Sequence, residues 1–220
     1  TDMLNFFTVP PSLGYNGYYD NIGDMENRGV ELDLHYTPIK RKDLVWTINL
    51  NLTHYKNKIS YLPEEKKTNN MGGYDGYVDG IRYYGEGLPI NTWRIHRFAG
   101  LSSEGKSLWY YTDKTTGEEK TTDSFSNADY YLCGDPNPDL YGGFGTSLSF
   151  RGFDFSAQFS YSVGGKIYDY GYAGMMANPI ASSASGVRLH KDVFNAWSPE
   201  NTSSEIPRWY FNDLDAAGQS

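Results

Sequence analysis

Three stretches of this 220-residue chain alternate apolar and polar residues with a strict period of two. Successive side chains of a strand point to opposite faces, so each stretch makes a strand with one greasy and one wet side. In 30–37, Val30, Leu32, Leu34 and Tyr36 face one way and Glu31, Asp33, His35 and Thr37 the other. In 45–53, Trp46, Ile48, Leu50 and Leu52 stand against Thr47, Asn49, Asn51 and Thr53. In 153–163, Phe153, Phe155, Ala157, Phe159, Tyr161 and Val163 stand against Asp154, Ser156, Gln158, Ser160 and Ser162.

The connections between these strands are of two kinds. Strands 29–37 and 44–56 are expected to meet through the short polar run Pro38–Asp43, and 142–150 meets 153–163 through Arg151-Gly152, where Gly supplies the positive φ of a hairpin turn. A weaker pair, 94–102 with 106–112, has Glu104-Gly105 as its turn. Residues 57–92, 113–140 and 164–220 are rich in Gly, Tyr, Asn, Asp and Ser, with little strand periodicity. Tight turns alternating with long loops are the habit of an outer-membrane barrel, with the turns on the periplasmic side and the loops outside. The expected fold is therefore all-β: a partial transmembrane antiparallel β-barrel of about six strands. Six strands do not close a barrel, and an open edge cannot face lipid, so the rest of the wall is expected from chain beyond 1–220.

Composition supports strands and narrows the partners. Tyr occurs 20 times, with 11 Phe, 5 Trp, 24 Gly and 10 Pro, which fits strands, turns and loops. The net charge of −8 argues against nucleic acid, whose phosphates need clustered Lys and Arg. Cys133 stands alone, so no internal disulfide forms. No run reaches the roughly 18 apolar residues of a membrane helix, and no charged-then-apolar leader opens the chain at Thr1. Trp46, Tyr55, Tyr161 and Tyr168 fall near strand ends, where rings form girdles at membrane interfaces.

The segment Asn21-Ile-Gly-Asp-Met-Glu-Asn-Arg-Gly-Val-Glu-Leu-Asp-Leu34 resembles the strand entry of the SusC/RagA-like family of TonB-linked outer-membrane proteins. Further blocks agree in order: Glu86-Gly-Leu-Pro89, Phe98-Ala-Gly-Leu101, Gly105-Lys-Ser-Leu-Trp-Tyr110, Gly134-Asp-Pro-Asn-Pro138, Tyr141-Gly-Gly-Phe144, Gly152-Phe-Asp-Phe-Ser156 and Gly164-Gly-Lys-Ile-Tyr-Asp169. Trp197 and Ile206-Pro-Arg208 continue the match. The resemblance implies that 1–220 is a late, incomplete segment of a receptor barrel domain, without plug or closing strand. It also implies energy-coupled import of oligosaccharides or peptides across the outer membrane of a Gram-negative cell. The implied partners are a SusD-like surface lipoprotein, the TonB complex acting through the missing plug, and outer-membrane lipid.

No catalytic or metal constellation stands out, and no cofactor is expected. His35, His54, His96 and His190 are scattered, and Asp135-Pro-Asn-Pro-Asp139 lacks the Gly and Glu positions of a calcium loop. The segment 74–93 is the expected place of substrate contact, with Tyr74, Tyr77, Tyr83, Tyr84 and Trp93 beside Asp75, Asp79, Arg82 and Glu86. Aromatic faces that stack on sugar rings, flanked by groups for hydroxyls, make such a surface. The competing reading is a secreted carbohydrate-binding β-sandwich, in which the apolar faces pack on each other. An enzyme on a β-scaffold would need paired carboxylates across a cleft, and nothing marks a pair.

Overall fold

The computed structural model describes residues 2–177 and 188–210. The strands are β1 (Asp2–Thr8), β2 (Gly17–Arg41), β3 (Leu44–Tyr61), β4 (Asn69–Met71), β5 (Tyr74–Asp79), β6 (Arg82–Gly85) and β7 (Thr92–His96). They continue with β8 (Phe98–Leu101), β9 (Ser107–Thr112), β10 (Glu119–Thr122), β11 (Tyr130–Leu132), β12 (Leu140–Phe150) and β13 (Phe153–Val163), followed by a short helix α1 (Tyr170–Met176). Two compact units emerge, one of 1–93 with 132–167 and one of 94–131 with 168–220.

The first unit carries the wall, a five-stranded sheet in the order β1-β2-β3-β12-β13. Each neighbouring pair is antiparallel. The register lines up the alternating faces across strands. Leu34, Leu50, Phe144 and Phe159 stand side by side, as do Tyr36, Ile48, Thr146 and Ala157. On the opposite face lie Asp33, Asn51, Gly143 and Ser160, then His35, Asn49, Gly145 and Gln158. A one-residue slip anywhere would mix the two faces, so the pattern that predicts the strands also fixes their register.

The apolar face is open. Val30 is 68% exposed, Phe153 81% and Phe155 60%, which a sandwich core would have covered. The apolar column of β13 runs from Phe153 to Val163. That is roughly 33 Å along the strand, or about 25 Å at the usual barrel tilt, which is the height of an outer-membrane lipid band. Two polar side chains on this face find partners within the wall, as lipid requires. Trp46 Nε1 donates to Thr146 Oγ1 at 2.8 Å, and Tyr161 Oη donates to the Asn51 carbonyl at 3.0 Å. The Tyr161 ring reaches that carbonyl by crossing Gly142, where an added Cβ would collide with the Asn51 carbonyl and sit 2.8 Å from Tyr161 Oη. This sheet is a length of transmembrane β-barrel wall.

Several expectations about boundaries change. The turn expected at Pro38–Asp43 shrinks to Lys42-Asp43, because β2 continues through Pro38 as a bulge. Tyr36 pairs with Ile48 and Ile39 with Trp46, so Thr37 and Pro38 together oppose Thr47. Pro lacks the N–H that a regular ladder would use, and the extra residue turns Ile39 rather than Pro38 to the apolar face. At the second tight turn both Arg151 (φ 47) and Gly152 (φ 88) are left-handed, as a two-residue hairpin demands. Arg151 N–H donates to the Asp43 carbonyl at 3.1 Å, tying the two turns together at one end of the wall.

The pair expected at 94–102 and 106–112 does form, as β8 and β9, but in a three-stranded sheet with β10 rather than in the wall. The wall has instead β1, whose residues carry no alternation, giving five strands where about six were expected. The stretch 57–92, read as loop, extends β3 to Tyr61 and then builds a small sheet in the order β4-β5-β6-β7-β11. Tyr55 pairs with Gly29 on the polar face, so it is no lipid girdle, and Tyr168 lies outside the wall.

Candidate functional site

The connection from β3 to β12 leaves and re-enters the wall at the end opposite the tight turns. Its first part folds against the polar face. Asn27 pairs with Asn57 and Met25 with Ile59, two and three pleats beyond Glu31 and Thr53 on the same side. Ile59 and Leu62 are fully buried there, with Met25, Tyr77, Tyr84 and Ile90 packed on them. Main-chain bonds fix the contact: Ile59 N–H to the Leu88 carbonyl at 2.8 Å, and Gly87 N–H to the Ile59 carbonyl at 2.8 Å. The Ile90 N–H adds a bond to Asn57 Oδ1 at 2.8 Å. This first part of the connection therefore sits on the polar side of the wall.

Burial divides the five aromatic residues expected to contact substrate. Tyr83 is fully buried, and its hydroxyl lies 2.9 Å from the Asn69 carbonyl and 2.7 Å from the Tyr74 carbonyl. Trp93 is 6% exposed; its indole donates to the Lys166 carbonyl at 2.8 Å, and the Arg82 guanidinium lies 5.1 Å from its ring. These two side chains pack within the loop and hold it together. The other three are less buried. Tyr74 is 39% exposed. Tyr77 and Tyr84, directly opposite on β5 and β6, stack 5.0 Å apart at 7° and are half-buried. Burial, then the neighbouring Tyr84 and Asp79, push the Tyr77 phenol up to about 12, so it stays neutral and a hydrogen-bond donor.

The acidic and basic groups beside them are mostly engaged. Arg82 and the Tyr84 hydroxyl both donate to Asn91 Oδ1, at 2.6 and 2.8 Å. Glu86 accepts from Leu62 N–H at 3.3 Å and pairs with Lys67 at 3.2 Å. Hydrogen bonds that Lys67 donates to Glu64 and Glu86 hold its pKa above the ordinary value. Asp75 accepts from Asn70 at 2.7 Å, leaving Asp79 as an exposed carboxylate near the tyrosine pair. Tyr74 and Asp79 are thus exposed, and the Tyr77–Tyr84 stack is half-buried.

The second unit holds a cavity that sequence reasoning missed. It encloses about 440 Å³ and is lined chiefly by Phe98, Trp109, Tyr172, Met176, Pro207 and Trp209. The indole N–H groups of Trp109 and Trp209 are buried without an acceptor among the described residues. Its walls come from three separate segments, and no local spacing announces that. Beside it, Asp169 caps α1 by accepting from Tyr172 N–H at 2.8 Å. Among the described residues no group of three or more His, Cys, Asp or Glu side chains converges on a metal position.

Comparison with known proteins agrees with this architecture. No protein-family model matches the chain. The chain is 30% identical, over 94% of its length, to TonB-dependent receptor P3 of Formosa agariphila, and 25% identical, over 93%, to TonB-dependent receptor SusC of Bacteroides thetaiotaomicron. It spans only 21% and 19% of those two relatives. Among solved structures, that of the RagAB peptide transporter superposes with a TM-score of 0.73 at 24% identity, covering 94% of this chain and 22% of the other. Its sequence relatives are named TonB-dependent receptors and its fold matches part of a solved barrel, so over nearly its whole length the chain is similar to part of the SusC/RagA-like TonB-dependent receptors and has the fold of a piece of barrel wall.

Proposed function

We propose that the chain is part of an outer-membrane importer of a Gram-negative bacterium, taking up oligosaccharides or peptides. The observation that carries this reading is the register of the wall. It lines up every apolar column on one open face about 25 Å tall and every polar column on the other. Such a sheet has lipid on one side and water on the other. Sequence similarity to TonB-dependent receptors supports energy-coupled transport rather than chemistry, and similarity in fold to the RagAB peptide transporter makes peptides a candidate cargo.

In this reading the remaining strands, a plug that closes the lumen and the contact with the TonB complex belong to the rest of a longer protein. A SusD-like lipoprotein would cover the loop end. The loop folded on the channel side brings Tyr74, Tyr77, Tyr84 and Asp79 to the path of the substrate, where tyrosine faces can stack on sugar or peptide groups.

The test is an immunoblot of fractionated source cells with antibody against Thr112–Asp123, the exposed tip of the β9–β10 hairpin. A band far larger than 24.9 kDa in the outer-membrane fraction, clipped by protease added to intact cells, is the expected result. A soluble band near the mass of the chain itself would overturn the reading.

A further inference from the structure

Above its apolar columns the lipid-facing side of the wall changes character abruptly. On β2 and β3 the greasy run ends at Val30 and its partner His54. The next pair toward the loop end is Arg28 with Lys56, and the one after it is Glu26 with Lys58. Each step is roughly 7 Å along the strand, so the two pairs stand about 7 and 13 Å beyond the last apolar residue, at headgroup depth once tilt is allowed for. The charge is one-sided. The intervening pairs, which face the channel, are Asn27 with Asn57 and Gly29 with Tyr55.

We propose that Arg28, Lys56 and Lys58 form a docking surface for the phosphate groups of outer-leaflet lipid. Two of the three cations share one carboxylate. Glu26 bonds the Arg28 guanidinium and lies 3.4 Å from Lys58 Nζ, holding both side chains in place and leaving a surplus of positive charge. Lys56 makes no ion pair among the described residues, and its side chain is exposed. The Arg28 and Lys58 side chains are 83% and 54% exposed. A patch of this sign is unexpected in a chain of net charge −8. Its place, directly continuous with the lipid-facing columns, selects a lipid headgroup over a protein partner. Guanidinium suits phosphate as a two-pronged donor and the ammonium groups as point charges.

The inference rests on the barrel reading above. It is tested with the full-length protein that carries this chain, purified in non-ionic detergent, and with its Arg28→Gln/Lys56→Gln/Lys58→Gln variant. Each is titrated with lipid A, with dephosphorylated lipid A and with inorganic phosphate, and bound lipid is counted by native mass spectrometry. The wild type is expected to prefer the phosphorylated lipid, and each cation removed lowers that preference by roughly fivefold. Lys114→Gln, at an exposed turn, leaves it unchanged.

Equal binding of the two lipids by wild type, or an undiminished preference in the variant, overturns the proposal. Displacement of lipid A by inorganic phosphate also overturns it, because the site would then take free anions. Should the variant fail to assemble, raising salt decides on wild type alone. The preference must collapse as the screening length falls from about 10 Å at 0.1 M to about 3 Å at 1 M. A protein that stays soluble and monodisperse without detergent would instead refute the barrel reading itself.

Discussion

Three neighbouring positions on β2 give the sharpest test of the wall. Leu34 lies in the middle of the strand's apolar run, Val30 at its loop-side end, and Asp33 on the opposite face next to Leu34. All three are exposed, so an arginine meets no packed core at any of them and only the surrounding medium differs. Four residues separate Val30 from Leu34, roughly 10 Å of depth at a rise of about 3.3 Å and a tilt near 40°. Arginine on a lipid face costs about 2–4 kcal/mol at the membrane centre and about 0–1 kcal/mol near the interface. Leu34→Arg should therefore destabilise the barrel by about 3 kcal/mol, while Val30→Arg and Asp33→Arg each cost less than about 1 kcal/mol. The assay is reversible urea unfolding of the full-length barrel from phospholipid vesicles, followed by tryptophan fluorescence. Equal costs at the three sites, or a larger cost for Asp33→Arg than for Leu34→Arg, would refute the assignment of faces.

Three further outcomes follow from the structure. Tyr83→Ala removes a fully buried ring and should cost the loop about 3–5 kcal/mol, seen as rapid trypsin cleavage within 62–92, whereas Tyr74→Ala leaves protection intact. Gly142→Val drives a side chain into the Asn51 carbonyl and the Tyr161 hydroxyl, costing about 1–3 kcal/mol in the urea assay. The hydrogen bond from Lys120, aided by Thr115 N–H, depresses the Asp113 carboxyl to about 2. A depressed carboxyl favours the folded hairpin above its ordinary pKa and loses that contribution as pH falls from about 4 to about 2. Exchange of the Thr115 amide, corrected for intrinsic rate, should accelerate across that window, and Asp113→Asn should abolish the dependence.

The wall was legible because its physics is local. A strand that meets lipid on one side and water on the other has to alternate, and Val30–Tyr36 and Phe153–Val163 do so without exception. The bulge at Pro38 was not, since alternation breaks there and the same residues spell a turn. The sheet made by β4 to β7 and β11 escaped notice because its strands are three to six residues long, too short for a period to show. Its buried Tyr83 and its half-exposed neighbour Tyr84 look identical in sequence. Only the pleat of β6 decides which of them packs inward, and Tyr83 is the one that does. The cavity around Trp109 and Trp209 was invisible for a different reason, since residues a hundred positions apart meet there.

The pairing of β3 with β12 has a consequence for how the wall assembles. Hairpins β2–β3 and β12–β13 close across two-residue turns, so their contacts are between near neighbours in sequence and can form early. The seam that joins them brings Tyr141 onto Thr53 across everything from β4 to β11. Its loop-closure entropy is incurred before a single ladder bond repays it, which makes it the high-contact-order step. The chain should therefore zip in two pieces and fuse late. Until that fusion β3 presents an unpaired edge, and whatever shields that edge governs the yield of folded protein.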